Sequence, residues 1–182
     1  MMTLQQLTDL LLSHNVQIAA FGTGSAKTLA HLLKEVQSGE AVLEDDGNGR
    51  LMRRVTVLGI NVFVEHAGAR LRLTEDRQVF IDQRVRSRSL PTSIAEKLQP
   101  GEDVVLAVGR ALDEELSIKH FTLLTRPQER TEVKESPSYP GISSTYTTYE
   151  VSVLIAPHEY KAEYQEVQPD KTSYFVWASD QK

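Results

Sequence analysis

The stretch from Gln99 to Ile118 carries acids and an arginine at spacings that suit catalytic or metal-binding chemistry. Residues 103–116 are predicted to form a helix, because an apolar stripe recurs at helical spacing in Val105, Val108, Leu112 and Leu116. Arg110 and Glu114 lie four residues apart on this helix, and Glu115 follows directly. Carboxylates fixed on a helix can hold a divalent cation such as Mg²⁺. The same residues also fit a solvated acidic face with an ordinary ion pair.

From residue 96 to residue 118 the sequence resembles the Nudix box, whose pattern is G-x5-E-x7-R-E-U-x-E-E-x-G-U, with U aliphatic. The positions that match, in register and without a gap, are Glu102, Arg110, Leu112, Glu114, Glu115 and Ile118. Three positions depart from the pattern: Glu96 and Ser117 stand where the family has glycine, and Ala111 stands where it has glutamate. The preceding Pro100-Gly101 is similar to the lead-in common in the family.

This resemblance implies a hydrolase that cleaves a diphosphate linkage in a nucleoside diphosphate derivative by water attack on phosphorus. It implies Mg²⁺ or Mn²⁺ as the cofactor, with Glu114 and Glu115 as metal ligands and catalytic residues. Glu102 and Arg110 would form the structural pair that braces the preceding loop against the helix. Many family members use a further acid after the box, and Glu150 is the residue predicted for that role.

Ala111 is the departure that bears most directly on activity. Positions 111 and 115 share one helical face, and alanine has no oxygen to offer a cation. The sequence therefore leaves two alternatives beside the hydrolase. One is a Nudix-fold module that binds a phosphorylated ligand with little or no catalysis. The other is an unrelated α+β interaction protein in which the box arises by coincidence.

Basic residues are concentrated between residues 50 and 88, a segment that contains nine arginines and only four acidic residues. Arginine suits bidentate phosphate contacts, so Arg72, Arg84 and Arg86 are predicted to bind phosphate. Arginines that alternate along strands also form solvated faces and cross-strand ion pairs, which is the competing interpretation. The formal net charge of −5 argues against general nucleic-acid binding. A small phosphorylated substrate or ligand is the expected partner, and the N-terminal helices could mediate a homodimer.

Several other kinds of chemistry find no support in the sequence. The chain has no cysteine, which excludes disulfides, thiolate nucleophiles and zinc–thiolate sites. It contains no G-x-S-x-G motif, and its five histidines show no paired ligand spacing, so each is expected to be structural or exposed. Glu75, Asp76 and Asp82 could face a site, but turn or surface roles are expected for them. With no long apolar run and no leader-like N-terminus, a soluble cytoplasmic protein is expected, without membrane association.

The 182 residues, 40% hydrophobic and 25% charged, are enough for one globular domain with a small appendage. Two helices are predicted near residues 3–14 and 26–38, the second capped by Ser25, and the run from Val16 to Phe21 between them is predicted to be extended. A hairpin turn is predicted at 45–49, followed by one long strand with a flaw at Gly59. The chain beyond it is predicted to be mostly strands around the single helix at 103–116, with an irregular segment at 91–100 that could include a short helix. The fold class is therefore α+β: a Nudix-type α/β/α sandwich with a mixed sheet at residues 41–182, preceded by an N-terminal helical extension at residues 1–40.

Overall fold

The computed structural model describes residues 1–179. Its three α-helices are α1 (Leu4–Ser13), α2 (Leu29–Gln37) and α3 (Val104–Leu116). The first five strands are β1 (Val42–Asp45), β2 (Leu51–His66), β3 (Ala69–Phe80), β4 (Val85–Arg86) and β5 (Ile94–Lys97). The remaining five are β6 (Phe121–Leu123), β7 (Gln128–Glu135), β8 (Ser143–Ile155), β9 (Glu163–Val167) and β10 (Lys171–Ser179).

The strands form one mixed sheet with the order β6-β8-β2-β3-β10-β9. The short strands β1 and β5 also pair with β2, β4 pairs with β3, and β7 pairs with β8. The α+β class and the mixed sheet predicted from the sequence are confirmed. Within the described residues, no helix has the length and apolar character needed to cross a membrane.

The chain groups into two compact units, of which the first comprises residues 1–57, 97–101 and 129–148. Its core contains Leu7, Leu11, Val16, Leu32, Leu51, Tyr139 and Ile142. Beside this core, the buried Glu35 carboxylate accepts hydrogen bonds from Lys27 (2.8 Å) and Arg53 (2.6 Å). Burial alone would raise the pKa of Glu35, but its hydrogen bonds, including one from Lys97, lower that pKa to about 2. The boundary predicted at residue 40 stays a prediction.

The second unit comprises residues 58–96, 102–128 and 149–179 of the described chain, and it contains α3. The β2–β3 hairpin closes at Ala67 and Gly68, whose φ angles of 51° and 78° lie in the left-handed region. Gly59, predicted to be a flaw in one long strand, lies within the continuous strand β2. A Cβ atom at Gly59 would lie 2.8 Å from Cγ2 of Thr92, so only glycine at position 59 leaves room for the Thr92 side chain.

Several local predictions were wrong for identifiable reasons. The run from Val16 to Phe21, predicted to be extended, contains a 3₁₀ turn at Ile18–Ala20. The second helix begins only at Leu29, because Thr28, and not Ser25, caps it by accepting a hydrogen bond from the His31 backbone N–H (3.3 Å). The segment from Pro91 to Pro100, predicted to be irregular with a possible short helix, contains the four-residue strand β5, which pairs with β2.

Candidate functional site

Helix α3 has one buried face and one polar face, and its capping residues fix where the helix begins and ends. The side chain of Asp103 accepts hydrogen bonds from the backbone N–H groups of Val105 (2.9 Å) and Leu106 (3.1 Å). The helix ends at Ser117, whose φ of 55° lies in the region that favours glycine, the residue of the box pattern at this position. The residues of the helix that are buried are Ala107, Val108, Ala111, Leu112 and Leu116.

Arg110 joins the start of this helix to the segment before it. Its guanidinium donates two hydrogen bonds to the carboxylate of Glu102, through Nε (2.7 Å) and Nη2 (3.0 Å). Nη1 donates to Glu114 (2.9 Å) and lies 3.6 Å from an oxygen of Glu96. The hydrogen bonds that Arg110 donates to Glu102, followed by the one it donates to Glu114, raise the pKa of Arg110 further above its usual range. The structure thus brings Glu102 and Arg110 together in the bidentate geometry that makes such pairs strong.

Replacing Glu102 with glutamine is expected to lower the free energy of unfolding by about 1 kcal/mol, since the pair is only partly exposed and one partner would lose its charge. The matched control is Glu132→Gln, which removes one partner of an exposed pair with Lys134 and should leave the urea unfolding midpoint nearly unchanged. Urea unfolding of both variants provides the measurement. Equal stabilities of the two variants would contradict a bracing role for Glu102.

Glu115 lies on the polar side of α3 and lines a cavity of about 180 Å³. Four carboxylates and two cations share this cavity: Glu75, Glu96, Glu115, Glu166, Arg88 and Lys171. The residues come from β3, β5, α3, β9, the segment after β4 and the start of β10. When all are ionised, negative charge exceeds positive charge by two. Such a balance suits a divalent cation with oxygen ligands.

The electrostatics of the cavity act most strongly on Glu115. Burial of its carboxyl, together with the nearby charges of Glu166 and Glu96, raises its pKa to about 8. The positive charge of Arg88 lowers the pKa of Glu115 but offsets this rise only in part, because the guanidinium also donates two hydrogen bonds to Glu75 (2.7 and 2.8 Å). Glu115 therefore holds a proton at neutral pH that a bound cation could displace.

The predicted acids occupy three different environments. Glu115 lines the cavity, whereas the side chain of Glu114 is 61% exposed and pairs with Arg110. Glu150 is exposed on β8, where it accepts a hydrogen bond from the side-chain amide of Asn61 (2.9 Å). In the described part of the chain, neither Glu114 nor Glu150 is among the residues that line this cavity. Their metal-binding and catalytic roles stay predictions.

The predicted phosphate-binding arginines also lie apart from the cavity lining in the described chain. Arg72 donates a hydrogen bond to the carbonyl of Pro91, Arg84 lies over the ring of Phe80, and Arg86 is exposed on β4. The structure places a different arginine, Arg88, in the cavity. Sequence reasoning identified the arginine-rich segment but had no signal that separates residue 88 from its neighbours.

Ala111 is fully buried against the core, so it does not face the cavity solvent. A cation bound beside Glu115 would have to take its other ligands from elsewhere. Glu96 and Glu166 are the candidates for this role, since both line the same cavity. Glu96 occupies the box position where the family has glycine, and this departure was the only sequence signal for its role. Nothing in the sequence pointed to Glu166.

Comparison with known proteins gives structural similarities only. No protein-family model matches the chain, and the search of curated proteins gives no match. Among solved structures, the chain is similar to an Ap4A hydrolase of C. elegans, with 16% identity over 68% of this chain and 79% of that chain and a TM-score of 0.39. A binary complex of a C. elegans Ap4A hydrolase has the same identity and coverage with a TM-score of 0.36.

A third similar structure is the NUDIX domain of Shewanella oneidensis NrtR complexed with ADP ribose. It is 15% identical over 69% of this chain and 73% of that chain, with a TM-score of 0.39. All three similarities have identities below 25% and TM-scores below 0.5.

Proposed function

We propose that the chain is a divergent Nudix-type hydrolase that cleaves a diphosphate linkage in a nucleoside diphosphate derivative, with Mg²⁺ or Mn²⁺ bound at Glu115. The observation that carries this proposal is the acidic cavity beside α3. There a glutamate of the box, Glu115, shares a cavity with Glu96 and Glu166, and its pKa is raised to about 8. The bidentate pair of Glu102 and Arg110 supports the proposal independently.

The residues of the cavity fit a hard divalent cation, which prefers carboxylate and water oxygens. Among the described residues, no three of these carboxylates bring oxygen atoms within 4.8 Å of one another. Glu115, Glu96 and Glu166 would therefore converge only on binding, when the cation offsets their mutual repulsion. Glu96 and Glu166 would supply the carboxylates that Ala111 cannot, from two strands next to the helix. Glu114 remains a predicted ligand, although its carboxylate pairs with Arg110.

A bound divalent cation would supply electrostatic stabilisation of the phosphate oxygens and would lower the pKa of a bound water. The chain's own residues have distinct tasks around it. Glu115 would lose its proton to solvent and hold the cation, and Arg110 holds Glu114 and Glu102 in place. Lys171 and Arg88 provide positive charge for the phosphate groups of the substrate. Glu150, and the arginines at 72, 84 and 86, stay proposed participants that would need the substrate to reach beyond the cavity.

A second function is favoured by one specific observation, the complete burial of Ala111. If Glu96 and Glu166 do not replace the missing carboxylate, the cavity would bind the phosphorylated ligand with little or no turnover. The chain would then be a Nudix-fold binding module. The cavity residues would be the same, and only the rate of cleavage would separate the two functions.

The experiment that tests the proposal is a panel of nucleoside diphosphate derivatives and dinucleoside polyphosphates, incubated with Mg²⁺ or Mn²⁺. Phosphate release after coupling to a phosphatase follows cleavage, and the thermal unfolding temperature measured with each compound follows binding. Metal-dependent cleavage of any compound supports the hydrolase. Stabilisation without cleavage supports the binding module. If no compound of the panel is cleaved and none stabilises the protein, both proposed functions are contradicted.

A further inference from the structure

A second cluster of metal-ligating side chains lies where β6 pairs with β8. A ring nitrogen of His120, a ring nitrogen of His158 and a carboxylate oxygen of Glu159 all lie within 4.8 Å of one another. His120 immediately precedes β6, and the two other residues lie in the 3₁₀ turn Pro157–Glu159 that follows β8. The sequence predicted no histidine ligand pair, because the two histidines are far apart along the chain.

Strand pairing fixes this arrangement. Phe121 pairs with Ile155, and the backbone N–H of Ala156 donates to the carbonyl of His120 (2.9 Å). The 3₁₀ turn then brings the His158 ring to 4.8 Å from the His120 ring, edge to face. The ligating groups are thus positioned by backbone hydrogen bonds, and the two imidazoles remain 66% exposed and free to rotate onto an ion.

Glu159 is the most firmly held member of the group. One of its carboxylate oxygens accepts hydrogen bonds from the backbone N–H groups of Lys119 (3.0 Å) and His120 (2.9 Å), and lies 2.7 Å from Nδ1 of His120. Such outer hydrogen bonds orient a carboxylate ligand.

We propose that His120, His158 and Glu159 bind a zinc(II) ion, at a site separate from the acidic cavity of α3. Two imidazoles and one carboxylate are typical ligands of zinc, whereas Mg²⁺ prefers oxygen ligands alone. Ligands of a tetrahedral zinc ion lie about 3.3 Å apart, given bonds of about 2.0 Å. The separations within the group range from 2.7 Å between His120 and Glu159 to at most 4.8 Å, and rotation of the exposed imidazoles would bring all three ligand atoms to this spacing.

Three protein ligands leave the fourth position of the zinc ion to solvent or to an added ligand. His120 also lines an open groove of about 490 Å³ together with Phe121, Thr122 and Pro157. A small molecule in that groove could therefore reach the ion. The site thus has the open coordination of a zinc centre that binds an exogenous ligand, in contrast to a closed four-ligand site.

The test uses the full chain carrying Glu115→Gln, which removes the ionisable carboxylate of the other site and keeps the two proposals separate. Zn²⁺ is titrated against a chromophoric chelator, and Co²⁺ is used as a spectroscopic probe of tetrahedral coordination. His158→Gln is expected to weaken Zn²⁺ binding at least about tenfold and to remove the visible Co²⁺ absorption. Millimolar Mg²⁺ should not displace the bound Zn²⁺.

The matched control is His31→Gln, which removes an exposed imidazole from helix α2. Glutamine can keep the capping box that His31 forms with Thr28, so the fold is retained. This control should bind Zn²⁺ within about twofold of its parent. Equal Zn²⁺ affinity in the His158→Gln and His31→Gln proteins would overturn the proposal. So would a parent protein that gives no Co²⁺ absorption.

Discussion

Glu115→Gln is expected to remove Mg²⁺ and Mn²⁺ binding at the α3 cavity and to lower any metal-dependent cleavage at least about 100-fold. Glutamine keeps the size of the side chain but cannot exchange a proton for a cation. The expected loss is large because Glu115 is the box acid that lies in the cavity with Glu96 and Glu166. Isothermal titration with each ion and the phosphate-release assay measure the two effects. Glu96→Gln and Glu166→Gln should each weaken ion binding by a smaller factor.

The same substitution should stabilise the metal-free protein, and the effect should depend on pH. The pKa of Glu115 is about 8 in the folded chain and near 4.5 when the chain is unfolded. Between these values the folded state binds more protons, so the stability of the wild-type protein falls as pH rises. The Glu115→Gln variant lacks this pH-dependent loss of stability. Its free energy of unfolding should exceed that of the wild type only slightly near pH 5, and by at most about 5 kcal/mol above pH 8.

Asp113→Asn is the control for this prediction, because Asp113 is an exposed acid on the same helix that pairs loosely with Lys119 at 3.8 Å. It should bind ions as the wild type does and show no comparable gain in stability with pH. If Glu115→Gln and the wild type bind Mg²⁺ equally, the cavity is not the metal site. If the free energies of unfolding of these two proteins show the same pH dependence from pH 5 to pH 9, then Glu115 is not protonated in the folded protein.

Local patterns predicted the scaffold of the site. The apolar stripe of α3 predicted its bounds to within a residue, because one helix face has to be buried against the sheet. The resemblance to the Nudix box implied that Glu102 and Arg110 pair, and the structure places them at hydrogen-bond distance. Both features involve residues that are close together in the chain.

The cavity partners could not be predicted in this way. Glu96, Glu166 and Arg88 come from β5, β9 and the segment after β4, and only the pairing of distant strands brings them to Glu115. Strand β5 carries no alternating β-branched pattern, and its pairing with β2 overrides weak local propensity. The same holds for His120 and His158, which meet because β6 pairs with the end of β8.

Ala111→Glu, which restores the acid of the box pattern, is expected to destabilise the protein by at least about 3 kcal/mol. Ala111 is fully buried, so a glutamate there would crowd a packed helix face and place a carboxylate away from water. From the helical spacing alone, residue 111 could have faced either the metal site or the core. The burial of Ala111 selects the core, and the restored acid should not tighten Mg²⁺ binding.

Two control variants separate the contributions to this effect. Leu106→Glu adds a glutamate to the same helix at a position that is 74% exposed, and it should change stability by less than about 1 kcal/mol. Ala111→Gln has nearly the shape of the glutamate variant without its charge. Its loss should be smaller than that of Ala111→Glu at pH 8, and the two losses should approach each other near pH 4, where the buried carboxyl is protonated.

Urea unfolding at both pH values, together with Mg²⁺ titration, measures these differences. A variant Ala111→Glu that unfolds like the wild type and binds Mg²⁺ more tightly would place residue 111 on the cavity side of α3. Glu96 and Glu166 would then no longer be needed to explain how the site compensates for the missing box glutamate. A destabilised variant with unchanged Mg²⁺ affinity would instead support the core position of residue 111 and a metal site in which Glu96 and Glu166 of neighbouring strands assist Glu115.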